Sequence, residues 1–576
     1  MQKIVRINTR SDEIRTQDCS EDELRWGGRN FIAKVLVREV PPTCDPLGRR
    51  SKFILATGLL GDTTLATSGR LSIGGKSPLT GGVKESNVGG EAGRMLARIG
   101  IRGLILEDAP DDVAPRVLYV SEGKITLSTE PDLKGMEVSS TFELLRKRFG
   151  DAHGLICIGP AGDFRLHGAS VAVQDAGGSQ TRYAGRGGLG AVLGSKSIKA
   201  LVIDGKIGAP APLYDPDMMR DLAREFARIL MEDPKTENRH VYGTPAVLGL
   251  CNELGILPTR NFSSGQFEKA IYIDGEAVKE LIDVRGGESR RGLPCMKGCV
   301  IRCSNVFAGP EGGKTVGSLQ YENIALLGSN LDIGDLDEIA ELNRLCNEMG
   351  LDAIEAGAAL GVAMEAGVLP FGNAVGAKQI LAQVGQGTPL GKIIGSGVCI
   401  TGKVFGVRRV PAVRGQAIPA YDPRGLKGIG VTYVTSPMGA DHTAGNALET
   451  VHQLNPLSRD GQVEISRRLQ LRAAILDTMG LCLFVRPAFV KQPDLFSRML
   501  KARYGWNWTL EDVLEMGSRC LEDEHRFNEL AGVSEDFCEI PEFMRSEPLP
   551  PRNTVFDLSL EQMKNIWREP HPKGVF

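Results

Sequence analysis

An excess of charge of either sign is missing from this 576-residue sequence: 68 Lys and Arg face 71 Asp and Glu, a formal charge of −3. That balance argues against a nucleic acid or an anionic membrane as the main partner, because both select a marked positive excess. Long apolar runs are missing as well. None approaches the roughly 18 residues that a membrane-spanning helix needs, so no membrane association is expected. The opening MQKIVRINTR is not a cationic stretch followed by an apolar one, and a cytoplasmic protein is the expectation. Of the 12 cysteines, most stand singly (Cys19, Cys44, Cys157, Cys251, Cys346, Cys399, Cys520, Cys538) rather than in the dense array of a secreted disulfide framework.

What is present reads as an ordinary globular chain, 42% apolar and 24% charged, long enough for several cores. Glycine is abundant, 71 residues, and clusters in the first 200 positions and beside the cysteines. Such glycine serves close backbone approach or positive φ. Residues 1–206 carry short β-branched runs such as KIVRI, SKFILAT, GRLSIGG, GLILED, RVLYV, LICIGP and KALVIDG, broken by Gly, Pro and Asp. Two helices, FIAKVLVREV and GGEAGRMLARIG, interrupt them. From about 207 to 409 the apolar spacing turns to three and four, with Asp335 and Glu338 predicting a capping box. A further helical region spans 410–576, its last stretch (542–576) reading as a surface arm. The fold class is therefore α+β: a β-rich N-terminal domain, then two mainly α-helical ones. No tandem repeat is visible.

Three thiols, Cys295, Cys299 and Cys303, crowd into RGLPCMKGCVIRCSN. Zinc and iron–sulfur clusters both ask for four thiolate or imidazole ligands. No second cysteine pair exists to complete a structural zinc site, while a cluster commonly takes three local cysteines and one distant one. Pro294, Gly292 and Gly298 oppose a regular helix here. Cys482, directly after a helix stop in ILDTMGLCLF, is a candidate fourth ligand. A second stretch, RLCNEMGLDAI, has nearly the same letters, with Asp352 in the place of the cysteine. A helix C-terminus followed by glycine exposes backbone groups that can bond the edge of a heterocycle.

The pair NEMGLD and DTMGLC, with the cysteine cluster between, resembles the aldehyde:ferredoxin oxidoreductase family, whose members carry a tungsten or molybdenum bis-pyranopterin. GGRNFIAKVLV, TTLATSGRLSIGGKSPLTGGVKESNVGG, IGPAGDFRLHGASV, RYAGRGGLGAVLGSK, LPTRNF, YENIALLGSN and YDPRGLKGIGVTYVTSPMGADH follow in the family's order. The resemblance implies that Cys295, Cys299, Cys303 and Cys482 ligate one [4Fe–4S] cluster and that Arg70 lies between cluster and pterin. It further implies that Asn87 and Ala184 offer carbonyls to a magnesium ion bridging the pterin phosphates. Gly89, Arg182, Gly185 and Arg186 would flank phosphate or pterin. Asn347, Gly350, Leu351 and Asp352 would hold one pterin, and Asp477, Gly480 and Leu481 the other. Glu322 and His442 would act as acid–base groups near the metal. Aldehyde oxidation to a carboxylic acid follows, with electrons passing to ferredoxin or a ferredoxin-like subunit, in a chain expected to form an oligomer.

Departures from the family pattern stand beside the matches. CMKGC spaces its cysteines by three residues instead of two, Asn30 replaces a glycine, and Asn347 replaces an aspartate. The Glu-x-x-His motif that bridges subunits through a metal in some members reads ELNR, and no histidine occurs between His240 and His442. Other readings are a benzoyl-CoA reductase-like catalytic subunit, a radical-SAM enzyme, whose cysteine spacing differs, and a zinc-stabilised scaffold protein.

Overall fold

The computed structural model describes residues 2–567 apart from 112–113, 152, 179–180, 207, 534–538 and 564–565; Cys538 and the end of the chain lie outside the described residues. Twelve strands form two six-stranded sheets. The first holds β1 (Lys3–Asn8), β2 (Ile14–Asp18), β3 (Phe53–Thr57), β4 (Leu71–Lys76), β5 (Val83–Val88) and β6 (Ile101–Glu107), in the order β2-β1-β6-β3-β4-β5. The second holds β7 (Arg116–Ser121), β8 (Lys124–Thr129), β9 (Gly154–Cys157), β10 (Val171–Gln174), β11 (Thr181–Ala184) and β12 (Ile198–Asp204), in the order β8-β7-β12-β9-β10-β11.

Each strand of one order maps onto the strand six places later in the other. The pairings repeat too: β1 runs parallel to β6 and β7 parallel to β12, while the remaining neighbours are antiparallel. The helices also correspond. Gly28–Glu39 and Val138–Phe149 follow the second strand of each unit, and Ala92–Arg98 and Leu189–Ser195 precede its last. The absence of a repeat in the sequence reading is thus corrected: the repeat survives in topology, not in letters. Apolar residues from both sheets, among them Val5, Leu55, Leu104, Leu118, Ile156 and Leu201, share one core. Burial of that shared face is what holds the sheets together.

The rest of the described chain is mostly helical. Asp335 caps Leu336–Met349 by accepting from the amides of Asp337 and Glu338. The expected reciprocal half of the capping box is absent, because the Glu338 carboxylate pairs with Lys378 at 2.6 Å. Helix Ala353–Glu365, rich in Ala and Gly, is almost wholly buried, since small residues let neighbours approach on every side. Residues 542–567 are not a surface arm: Met544, Leu549 and Phe556 are buried in the core. A three-stranded sheet, β13 (Arg290–Leu293), β14 (Ser304–Ala308) and β15 (Lys314–Gly317), brackets the cysteine loop between its first two strands. No single helix among the described residues is long and apolar enough to cross a membrane.

Candidate functional site

Two helix ends sit on the two sheets by the same contact. Helix Gln462–Met479 stops at Gly480 (φ +75°) and Leu336–Met349 at Gly350 (φ +68°), a left-handed cap for which glycine carries no steric penalty. The Arg70 N–H donates to the Gly480 carbonyl at 3.2 Å, and the Ser170 N–H donates to that of Gly350 at 2.8 Å. Arg70 immediately precedes β4 and Ser170 precedes β10, so the two donors occupy equivalent places in the repeated unit. A second glycine faces each stop. A Cβ on Gly58 would lie 2.2 Å from Gly480 Cα, and one on Gly159 would lie 2.5 Å from Met349 C.

The polar groups around these stops are held in place by the same sheets. The Asn347 carbonyl accepts from the Tyr183 hydroxyl at 2.9 Å, and Leu351 forms an antiparallel bridge with Ala169. Leu481 turns back to donate to the Leu476 carbonyl at 2.9 Å. Asp352 caps helix Ala353–Glu365 and accepts from Arg186 Nε at 3.2 Å; burial raises its carboxyl, opposed by Arg186. The terminal nitrogens of Arg186 go to the carbonyls of Ala417 and Ala440, so this guanidinium braces Asp352 with protein acceptors on all sides. Burial pushes the Asp477 carboxyl up to about 6 against the pull of Arg29 and Arg70.

The cysteine loop and Cys482 are joined through one residue. The Cys482 N–H donates to the Thr67 carbonyl and the Thr67 N–H donates to that of Gly298, both at 3.2 Å. The Gly90 N–H reaches the Cys295 carbonyl at 3.0 Å, and a Cβ on Gly89 would stand 3.0 Å from Cys295 Sγ. Sulfur acceptors are also used: Arg302 N–H points to Cys299 Sγ at 3.4 Å and Phe484 N–H to Cys482 Sγ at 3.5 Å. Burial, then Cys295 and Cys482, push the Cys303 thiol up to about 12. Arg70 lies half-buried beside them. Burial works against its charge, but Cys482, Cys295, Asp477 and Glu85 outweigh that and leave its pKa raised. Its Nε and Nη2 donate to Asn87, the latter to the carbonyl at 2.8 Å.

Arg182 donates to Ser318 Oγ at 2.6 Å, and its charge acts on Cys295 and Cys303. Ala184 ends β11, which runs beside β5, the strand of Asn87. Next to it Gly185 faces open space, with nothing within 4 Å of an added Cβ. The structure therefore brings Asn87, Ala184 and Gly185 to the seam where the two sheets adjoin.

Glu322 stands in the first turn of helix Tyr321–Leu327. One oxygen accepts from the Ala420 N–H at 2.8 Å, and the other lies 3.4 Å from His442 Nε2. Burial raises the Glu322 carboxyl, with His442 and the Ala420 amide opposing. The His442 ring is 5.8 Å from that of Tyr421, and its buried Nδ1 has no hydrogen-bond partner. Sequence reasoning missed what fixes this loop. Asp441 accepts from the Thr443 amide and pairs with buried Lys84 of β5, tying His442 to the strand of Asn87. The signal was the lysine inside GGVKESNVGG, two strand positions from the glycines that drew attention.

Polar atoms at these helix ends are left over. Asn30 Oδ1, Asn87 Nδ2, Ser170 Oγ and Thr478 Oγ1 are buried without partners. Each such atom costs about 1–3 kcal/mol unless something bonds it, so the residues fit a large polar occupant such as a pterin pair. Among the described residues, no three His, Cys, Asp or Glu side chains gather as around one metal ion. Cys295, Cys299, Cys303 and Cys482 offer four sulfur donors, the number an iron–sulfur cluster takes.

The aldehyde ferredoxin oxidoreductase N-terminal domain profile matches residues 4–205, and that for domains 2 and 3 matches 221–569. The chain is 31% identical to the tungsten-containing aldehyde ferredoxin oxidoreductase of Pyrococcus furiosus and 33% to that of Pyrococcus abyssi, each over 95% of this chain and 92% of the relative. An aliphatic sulfonate oxidoreductase WOR-like subunit of Pyrococcus furiosus is 27% identical over 63% of this chain. In fold, the chain is similar to one from the BamBC active-site complex of benzoyl coenzyme A reductase: TM-score 0.80, 17% identity, covering 98% of this chain and 92% of that one. With both domain profiles matched and relatives above 30% identity over nearly the full length, the chain is an enzyme belonging to the aldehyde ferredoxin oxidoreductase family of oxidoreductases.

Proposed function

We propose that this chain oxidises aldehydes to carboxylic acids with a tungsten bis-pyranopterin, passing electrons through one [4Fe–4S] cluster to ferredoxin or a ferredoxin-like subunit. The observation that carries this reading is the stitch of Cys482 to the Cys295–Cys303 loop through Thr67, beside half-buried Arg70. Cys295, Cys299, Cys303 and Cys482 would ligate the cluster. Gly350, Leu351 and Asp352 would hold one pterin, and Asp477, Gly480 and Leu481 the other. The carbonyls of Asn87 and Ala184 would hold magnesium, Asn87 sharing its lone pairs with Arg70. When bound, the metal–pterin group supplies oxygen transfer and the acceptor for two electrons.

The side chains then manage protons and orientation. Glu322, whose raised carboxyl ionises nearer to working pH, takes a proton from water or a hydrated aldehyde. His442 Nδ1, buried and without a partner, is free to bond the substrate oxygen. Lys84 and Asp441 hold that histidine in register with β5. A cytoplasmic setting suits thiols that must stay reduced.

Metal quantification on anaerobically purified protein tests the reading, with an aldehyde panel coupled to a viologen dye. Tungsten or molybdenum with about four iron per chain, the content of one [4Fe–4S] cluster, and dye reduction by aldehydes support it; zinc alone points to a scaffold and overturns it. Cys482→Ala should lose cluster iron. Full retention of iron in that variant would mean the ligand assignment is wrong.

A further inference from the structure

Arg239 meets Arg472 and Arg486, both from much later in the chain, near the cysteine site and Tyr421. Arg472 Nη2 and Arg486 Nε both reach Glu449, Arg486 at 2.9 Å. The Arg239 guanidinium lies 4.3 Å above the Phe484 ring, and that of Arg486 lies 5.8 Å from the same ring. Arg472 and Arg486 thus share one carboxylate, and Arg239 stands beside them on the Phe484 ring, donating to the Lys235 carbonyl. Cys482 favours the charge of Arg239 and Arg486, Cys303 that of Arg239, and Asp233, which also faces both, is held by Lys491 at 3.2 Å.

One donor here is buried with nothing to bond. Arg472 is 8% exposed, yet its buried Nε has no hydrogen-bond partner. Arg486 meets Glu449 through Nε, and its side chain is only half-buried. The strain of crowding shows in the charges. Burial, then repulsion from Arg486, bring Arg472 down to about 9 and Arg239 to about 10. Burying like charges together is unfavourable unless an anion joins them.

The place of the cluster says which anion. Arg486 acts on the buried Tyr421 hydroxyl, as does Glu322, and the Tyr421 ring is 5.8 Å from that of His442. A molecule reacting at Glu322 and His442 would extend past Tyr421 to the guanidiniums. We propose that Arg239, Arg472 and Arg486 bind an anionic tail of the substrate, so that the favoured aldehydes carry a carboxylate, sulfonate or phosphate. This inference rests on the reaction site proposed above. Guanidinium forks match such oxyanions with paired hydrogen bonds, and Tyr421 separates the tail from the reacting carbonyl.

The test pairs succinic semialdehyde with butanal on the holoenzyme, adding sulfonate and phosphate tails on the same carbon chain to rank the anions. Binding of succinate, the oxidation product, is measured by calorimetry alongside. The anionic aldehyde should exceed butanal in kcat/KM by about 10-fold or more, as expected for charge-assisted hydrogen bonds, and added salt should narrow the gap. Arg239→Gln and Arg486→Gln should each reduce that ratio and weaken succinate binding. Arg239 lies at the half-exposed rim, so its variant remains informative if the Arg486 one fails to fold.

Butanal matching or exceeding the anionic aldehyde, with no succinate binding, overturns the inference while leaving the proposed reaction intact. Variants that move the cluster's midpoint potential but not the substrate ratio assign the arginines to the cluster and also overturn it. If neither aldehyde is oxidised by fully loaded enzyme, the reaction reading fails, and the tail site is decided by succinate binding to wild type against Arg239→Gln.

Discussion

Glu322 is placed to show at a single residue how burial sets a pH profile. Its carboxyl is raised by burial, against the His442 ring, one backbone amide and Arg186, which favour its charge. As a base it works ionised, so kcat/KM should climb with pH through that raised value rather than near the usual carboxylate range of about 4.3. Stability runs the other way. Between the ordinary and the raised value, the folded protein keeps a proton that the unfolded chain has lost, so unfolding free energy declines as pH rises through that window. Glu322→Gln should abolish the ascending limb, lower kcat by about 10²–10⁴-fold, and flatten the pH dependence of the denaturant midpoint. A retained limb in the variant would remove Glu322 from the acid–base role.

At the level of elements, the two sheet–helix junctions depend on glycines whose jobs differ. Gly58 meets the backbone of Gly480, and a side chain there would push the helix end off the sheet. Gly58→Ala should lower both the unfolding midpoint and the pterin content, overpacking by about 1–3 kcal/mol or more. Gly185 faces open space. Gly185→Ala should leave the unfolding midpoint of cofactor-free protein unchanged while reducing pterin content, measured by release and fluorescence of the oxidised pterin; normal loading would put the phosphates elsewhere. These junctions were partly legible in the letters, because GL-C and GL-D after helical spacing read directly as glycine stops. The strands KIVRI, FILAT and ALVID were legible for the same local reason, being β-branched and apolar. β5 (KESNV within it) and β11 (TRYA) were not, since their polar residues face the seam between sheets and break the alternation that marks a half-buried strand. Nor could local pattern reveal Thr67 as the tie between Cys482 and Gly298, or bring Arg239 to Arg472 and Arg486. Those contacts depend on chain crossings that leave no periodic trace.

Across the whole molecule, the tie between the first sheet and the far end of the chain is a buried ion pair. Arg29, in the helix packed on the first sheet, donates from Nε and Nη2 to both oxygens of Glu524 at 2.8 Å, and each residue is 1% exposed. Burial works against the Arg29 charge, and Glu524 outweighs it and holds its pKa raised. Arg29 Nη1 also stands 3.6 Å from Asp477 Oδ2, so the same guanidinium balances a pterin-motif carboxylate. Removing one partner leaves an uncompensated charge, whereas removing both does not. Glu524→Gln should therefore cost about 3–5 kcal/mol, read from denaturant midpoints at fixed cofactor loading. The double replacement of Arg29 and Glu524 by Met should recover most of it. Recovery of stability without recovery of pterin content would separate the two duties of Arg29: its structural pairing with Glu524 is dispensable, while its charge opposite Asp477 is not. If the double variant is no more stable than Glu524→Gln, the pair is not a closed electrostatic unit, and the packing of helix Leu510–Leu530 on the sheet domain must be set by its apolar face alone.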